Sequence, residues 1–370
     1  MPRPHPKPMP VVECHVTDMG VDGLGVARVD EKVVFVEGGM PGDRAQVQIY
    51  RNKGRYAQGR VVELLEPSSH RVTPVCQHFG TCGGCKWQNM DYPTQLVYKT
   101  KQAHDALTRI GGLSLEGVQA EPALPAPAIY RFRNKLEFTF TDRRWLTREE
   151  LLQSQEQAAT IDAPTHGFPG TGLGFHLSGR FERILHIETC YLMDEVADLI
   201  RNTFYRQAVA MNLSFYSIRS RQGYLRNLML RNTVDGQWMV LLSVSENKPE
   251  ILLPYLEALR PQLPQVDQWL YTVNTKVNDS LEGLEIQVHQ GQNRLTETLD
   301  GLRFGISATS FFQTNPRQAL ALYRLALDWC ALQGDELVYD LYTGTGSIAL
   351  FLARHAAKVI GIEYVESAVE

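Results

Sequence analysis

Between Pro10 and Pro67, apolar residues alternate with polar ones in short β-branched runs, VVECHVTDMG, GVARVD, VVFVEGG and RAQVQIYRN, broken by Gly-rich turns. A period of two over runs of this length predicts strands, and a series of them in so short a stretch predicts a small closed barrel of the OB type. The period then lengthens to that of a helix over residues 91–110, and the proline-rich joint AEPALPAPAIY follows. Next, YRFRNKLEFTF alternates again, placing Phe132, Leu136, Phe138 and Phe140 inward and Arg133, Lys135 and Glu137 outward. Residues 148–172 have the composition of a surface insertion. Strand patterns GLGFH, RILHIET, LRNLMLRN, QWMVLLSVS and QWLYTVNT then mix with helices over 194–211 and 249–259, which predicts an α+β domain with an antiparallel sheet. The last stretch, LVYDLYTGTGSIALFLARHAAKVIGIEYVESAVE, reads as strand, glycine turn, helix, strand and the start of another helix.

Composition narrows the class. With 370 residues and 44% apolar content the chain can fill two or three cores. No apolar run is long enough to span a bilayer, and the opening MPRPHPKPMP, read as a loose tail, has no apolar signal core, so a cytoplasmic protein is expected. The formal charge of −4 gives no hint of nucleic acid, yet the basic residues cluster. Five Lys or Arg and no acid lie between Arg44 and Arg60, four Arg and no acid between Arg219 and Arg231, and six basic against two acidic residues between Arg131 and Arg148. Such stripes can bind phosphates in an acidic protein, or serve as ordinary solvated strand faces. Within the first, Arg51, Lys53, Arg55 and Tyr56 put charge and a stacking ring on one stretch.

Three of the six cysteines, Cys76, Cys82 and Cys85, fall within CQHFGTCGGC. In a cytosolic protein that spacing points to metal rather than disulfides, and a tight triplet with one distant fourth ligand suits an iron–sulfur cluster better than a two-knuckle zinc ribbon. Cys190, at a strand end before a helix, is the expected fourth ligand. Cys14 and Cys330 read as buried small hydrophobes. In the last stretch, Gly344-x-Gly346 lies where backbone must pass close to a ligand, Asp340 precedes the turn, and Glu363 ends the second strand, where a carboxylate can accept both ribose hydroxyls. The spacing to Ala349 also satisfies a dinucleotide fingerprint, but an acid before the turn would repel a pyrophosphate and attract the ammonium of S-adenosylmethionine, which is therefore the favoured ligand over NAD. Upstream, Asn315 and Pro316 form a helix start, leaving Gln313 just outside the helix end, where its amide can reach cofactor or substrate.

The pieces resemble known modules. GVDGLGVARVD, VVFVEGGMPGD and the basic strand resemble a TRAM domain. With C-x5-C-GG-C, YRFRNKLEF, GRFERILHIETC, SFFQTN and DLYTGTGSIAL in this order, nearly the whole chain resembles the RNA (uracil-5-)-methyltransferases, of the RumA/RlmD type that acts on 23S ribosomal RNA. The resemblance implies a [4Fe-4S] cluster on Cys76, Cys82, Cys85 and Cys190, S-adenosylmethionine contacts from Gln313, Tyr342 and Glu363, and a less firmly fixed one from Ser347. It implies a monomer working on a single-stranded or looped uridine, through a cysteine that adds to uracil C6 so that C5 can take the methyl group.

The expected architecture is thus a multi-domain α/β protein. It comprises a tail (1–9), a TRAM/OB-like barrel (10–67), a central α+β domain carrying the cluster (68–92 and 126–300), a helical segment packing on the methyltransferase domain (93–125), and the first part of a Rossmann-like class I methyltransferase domain (301–370). The family's nucleophilic cysteine and base lie in segments resembling SCNP and DPPR, downstream of the second strand, so the catalytic residues are expected beyond Glu370. The chain then reads as an incomplete version of a protein of about 430 to 480 residues, inactive as written and with a poorly folded C-terminal domain. Competing readings are a non-catalytic RNA-binding iron–sulfur protein, a uracil-5 methyltransferase of tRNA, a radical-type RNA modifier, and an NAD-linked oxidoreductase. The radical type uses C-x3-C-x2-C, which this chain lacks.

Overall fold

A computed structural model describes residues 10–147, 150, 152 and 170–366. The tail 1–9 and most of the expected surface insertion lie outside the described residues. The chain divides into two compact units, 1–125 and 126–370.

In the first unit, strands β1 (Val11–Met19), β2 (Gly25–Val29), β3 (Lys32–Glu37), β4 (Arg44–Asn52) and β5 (Tyr56–Glu66) close into a barrel of order β1-β2-β3-β5-β4, with β4 returning to β1. Alternation does what the sequence implies: Cys14, Val16, Ala27, Val34, Val36, Ala45, Val47, Ile49 and Ala57 fill the interior, and closure removes the sheet edges. Gly59 marks a tight corner, where a Cβ would sit 2.5 Å from Val47 Cγ1. Fully buried Asp43 fastens the barrel's end: its carboxylate accepts from Met40 N (2.7 Å), Ser68 N (2.9 Å) and Arg71 Nε (2.8 Å).

The cysteine loop follows, then helix α1 (Tyr92–Asp105), which continues as a wider π-helical turn to Ile110. Asp91 caps α1 through Thr94 N at 2.9 Å, with a proline in the first turn. The helix is tied to the barrel: Lys101 Nζ lies 2.7 Å from Asp18, Gln102 Nε2 donates to Met19 O, and Tyr98 packs on Met19, Met40 and Met90. The loop 68–92 and segment 93–125, which the sequence assigned to other domains, thus belong to the barrel's unit.

The second unit is built on eight strands in the order β13-β12-β11-β10-β6-β8-β9-β7. Their ranges are β6 (Lys135–Thr141), β7 (Arg144–Trp145), β8 (Gly172–Leu177), β9 (Arg180–His186), β10 (Leu225–Asn232), β11 (Trp238–Val244), β12 (Gln268–Val273) and β13 (Gln287–Gln290). Helices α2 (Glu195–Ala210) and α3 (Pro249–Leu259) stand where the sequence placed them. The sheet is mixed rather than antiparallel: β11 and β12 run parallel, joined through α3, and so do β7 and β9. Strand β6 starts only at Lys135. Arg131 has a positive φ of 54°, which breaks the strand before it and leaves Phe132 half-buried rather than in the core. From Phe138 onward both faces of β6 are covered, Thr139 and Thr141 included.

The expected boundary at residue 300 falls on the two-residue turn of a hairpin, β14 (Leu295–Leu299) and β15 (Leu302–Ile306). Leu299, Phe304 and Ile306 of that hairpin share a core with Phe312, Ala319 and Tyr323 around helix α4 (Pro316–Cys330) and with Phe351 of helix α5 (Ser347–Leu352). The hairpin therefore packs with the C-terminal elements. These end in a parallel pair, β16 (Leu337–Leu341) and β17 (Lys358–Ile362), with α5 between them. Among the described residues no helix is long and apolar enough to cross a membrane.

Candidate cofactor site

The β16–α5 turn is closed by two carboxylates. Asp340 Oδ2 accepts from Thr343 Oγ1 at 2.6 Å and from Ala349 N at 3.1 Å, so it grips both the turn and the first turn of α5. Glu363, immediately after β17, reaches across with Oε2 to Gly344 N (2.8 Å), while Oε1 accepts from Tyr364 N (2.8 Å) and Val365 N (2.9 Å). These N–H groups, Val365's first and then Gly344's, hold the Glu363 carboxyl below the usual range, so it is ionised near neutral pH. A carboxylate has about four acceptor positions, and three bonds leave room for a ligand hydroxyl.

The backbone conformation supplies the opening. Gly344 (φ 59°) and Gly346 (φ 72°) are left-handed, and a Cβ on Gly344 would meet no heavy atom within 4 Å. Tyr342 is also left-handed (φ 61°), and the residue is 91% exposed. Ser347 Oγ lies 2.9 Å from the hydroxyl of Tyr323, a buried residue of α4 that the sequence did not single out. Burial raises the Tyr323 phenol above its ordinary range.

Gln313 lies outside this hydrogen-bonded set. Its side chain is exposed, and its carbonyl is held by Asn134 Nδ2 at 3.1 Å, while Asn134 N donates to Thr314 O at 2.9 Å. Buried Arg231 of β10 fastens the same segment upstream, donating to Ser307 O (2.7 Å) and Ser310 O (2.8 Å). Asn315 caps α4 through Gln318 N at 3.1 Å, as its position before Pro316 implies.

The cysteines divide. Cys76, Cys82 and Cys85 lie on the loop of the first unit and Cys190 on the β9–α2 connection of the second. Their donor chemistry suits an iron–sulfur cluster, but among the described residues no group of three or more His, Cys, Asp or Glu side chains is gathered to hold a metal. Cys190 is nevertheless held firmly: its N donates to Asp198 Oδ1 (2.8 Å) and its carbonyl accepts from Arg131 Nη1 (2.7 Å). Cys14 is buried as expected. Cys330 is exposed although it repeats the spacing of seven that links Pro316 and Tyr323: it is the last residue of α4, beyond the core that ends at Leu327, and the neighbouring Trp329 is 70% exposed as well.

The basic stripes divide too. Arg51, Lys53 and Arg55 are exposed on the barrel, but Tyr56 packs edge-on against Phe35 with ring centroids 5.8 Å apart. Arg219 and Arg221 are exposed, whereas Arg226 and Arg231 are buried clamps. Arg226 donates to Asn274 O and Lys276 O at 2.6 Å each and to Asn278 O at 3.0 Å.

Residues 10–62 match the TRAM domain family. An RNA methyltransferase of Bacteroides thetaiotaomicron, itself uncharacterized, is 40% identical over 355 residues, covering 95% of this chain and 76% of that protein. A second, from Porphyromonas gingivalis, is 41% identical over 358 residues, covering 96% and 75%. This chain belongs to the TRAM-domain family of RNA methyltransferases. The fold of this methyltransferase is shared with Pyrococcus abyssi tRNA (uracil-54, C5)-methyltransferase, solved in complex with S-adenosyl-L-homocysteine. That match has a TM-score of 0.67 and 22% identity, and covers 97% of this chain and 74% of the other.

Proposed function

We propose that this chain binds S-adenosylmethionine at the β16–α5 turn and serves the C5-methylation of a uridine in 23S ribosomal RNA. The observation that carries the reading is the turn itself: an ionised Glu363 with acceptor capacity to spare, beside a glycine whose Cβ position is empty. Glu363 accepts a ribose hydroxyl at its remaining Oε2 position, Asp340 keeps the turn in shape and faces the donor's ammonium, and the Gly344 backbone allows close approach. Gln313, Tyr342, Gly346 and Ser347 complete the contacts. The donor supplies an electrophilic methyl group. The residues here bind and orient it, and the thiolate that adds to uracil C6 and the base that removes the C5 proton are assigned to none of residues 1–370. The barrel, with Arg51, Lys53 and Arg55 exposed, holds RNA by its phosphates.

A [4Fe-4S] cluster on Cys76, Cys82, Cys85 and Cys190 accompanies this reading through the family resemblance. No step of methyl transfer is routed through the cluster. The fold shared with a tRNA uracil-54 methyltransferase favours one second reading, in which tRNA is the substrate. Disrupting the gene and mapping 5-methyluridine in total RNA separates the two. The reading expects one 23S position to lose its methyl group and regain it on complementation. Loss confined to tRNA supports the second reading, and unchanged 5-methyluridine in both RNAs overturns both.

A further inference from the structure

The second unit holds a cleft of about 390 Å³ that the cofactor site does not use. Five segments meet there: the chain entering β6, the N-terminus of α2, the β10–β11 turn, the chain before β12, and the N-terminus of α4. Three arginines line it: Arg131 is paired with Asp198 at 3.2 Å, whereas Arg133 and Arg317 form no ion pair among the described residues. Among the described residues the Arg133 guanidinium makes one hydrogen bond, from Nε to Lys135 O at 2.9 Å. Asp194 also lines the cleft, but its Oδ1 accepts from Val196 N as the cap of α2. The local balance is therefore positive.

Two further lining residues carry a buried polar atom without a partner: Asn232 Oδ1, an acceptor, and Gln265 Nε2, a donor. A buried polar atom with no hydrogen bond costs stability, so such atoms persist mainly where something outside the protein satisfies them. An acceptor and a donor together match the edge of a nucleobase, since uracil offers N3–H and O4 and adenine offers N6–H and N1. Phe132, half-buried, gives the same cleft apolar ring surface, and unpaired bases stack on such surface. Asn134, which also lines the cleft, holds the Gln313 carbonyl, so the cleft adjoins the segment assigned to the cofactor.

We propose that this cleft is a second nucleotide site, which holds a single-stranded RNA nucleotide flanking the one to be methylated. Its phosphate lies on Arg133 and Arg317 and its base edge meets Asn232 and Gln265. The inference rests on the RNA methyltransferase reading and locates part of the substrate's footprint. Flanking bases splayed out of a loop in this way would give the enzyme sequence preference beyond the target uracil.

The test is fluorescence anisotropy with the whole 370-residue chain and a fluorescein-labelled ten-residue oligouridylate, at 50 and 200 mM salt, with S-adenosylmethionine titrated in parallel. R133Q/R317Q is expected to weaken oligonucleotide binding about tenfold and to lower the slope of log K against log salt by about 0.7, the value for the one phosphate the two arginines share. N232L is expected to weaken oligouridylate binding while leaving the affinity for an abasic oligonucleotide of the same length unchanged. Donor affinity should be as in the parent for both variants. Parent-like oligouridylate affinity and salt slope in R133Q/R317Q overturn the cleft, as does a parent chain that binds the donor but no oligonucleotide. A parent chain that binds neither fails the underlying reading instead.

Discussion

Replacing Gly344 with alanine separates a ligand site from an ordinary tight turn. The new methyl group would meet no protein atom within 4 Å, so no overlap with the protein opposes it. The cost to the fold is the left-handed backbone, φ 59°, about 1 kcal/mol for an L-residue. The Gly344 N–H stays available to Glu363, so the turn should keep its shape. If S-adenosylmethionine passes close to this backbone, the methyl group occupies its space, and forcing a methyl into a packed contact costs about 2 to 3 kcal/mol. That corresponds to roughly 30- to 150-fold weaker binding, at about 1.4 kcal/mol per tenfold. Calorimetric titration gives the affinity, and a thermal melt of the same sample gives the stability. G361A is the useful contrast: its Cβ would lie 2.9 Å from Thr343 Cγ2, so it should disturb the residue that Asp340 holds and lower stability and affinity together. G344A with a parent-like fold and an affinity within threefold of the parent would refute the close approach.

Other consequences can be measured independently. Glu297 is fully buried, and burial pushes its carboxyl up to about 7 from 4.5 even though Val234 N and Thr298 N donate to it. A raised acid pKa contributes stability that is complete below about pH 4.5 and lost as pH climbs through 7, up to about 3 kcal/mol. E297Q should therefore flatten the pH profile of urea unfolding across that window and be the more stable form at pH 8, and an unchanged profile contradicts the burial argument. R231M leaves Ser307 O and Ser310 O without their donor and should cost about 3 kcal/mol in the same assay, whereas a loss below 1 kcal/mol would show that the segment before Gln313 is held by other means. Anaerobically purified protein should carry about four iron atoms per chain, and C190A should lower that content. Colourless, iron-free parent protein would remove the cluster from the account.

Much of this molecule is written in local patterns, and those parts were legible. The barrel follows from alternation at Cys14, Val16, Val34, Val36, Val47 and Ile49, because burial on a closed sheet repeats every two residues. The places of Asp340 and Glu363 at the strand ends beside the turn were legible because a strand–turn–helix–strand unit fixes where its strand ends lie. What escaped depends on distance along the chain. Arg226 and Arg231 resemble surface charges until one sees that they bind carbonyls 48 to 79 residues away. Tyr323 meets Ser347 across 24 residues, and Asn134 meets Gln313 across 179. Phe132 and Cys330 were misplaced for a related reason: alternation and helical period describe faces, and neither says where a strand starts or how far along a helix the core extends.

The central claim is that a carboxylate-closed glycine turn selects a sulfonium donor over a dinucleotide. Calorimetric titration of the chain with S-adenosylmethionine and, separately, with NADH tests it most directly, because the two ligands place opposite charge beside Asp340. Saturable one-to-one binding of S-adenosylmethionine, lost in E363A, with no heat from NADH is the predicted result. NADH binding that S-adenosylmethionine fails to displace would contradict it.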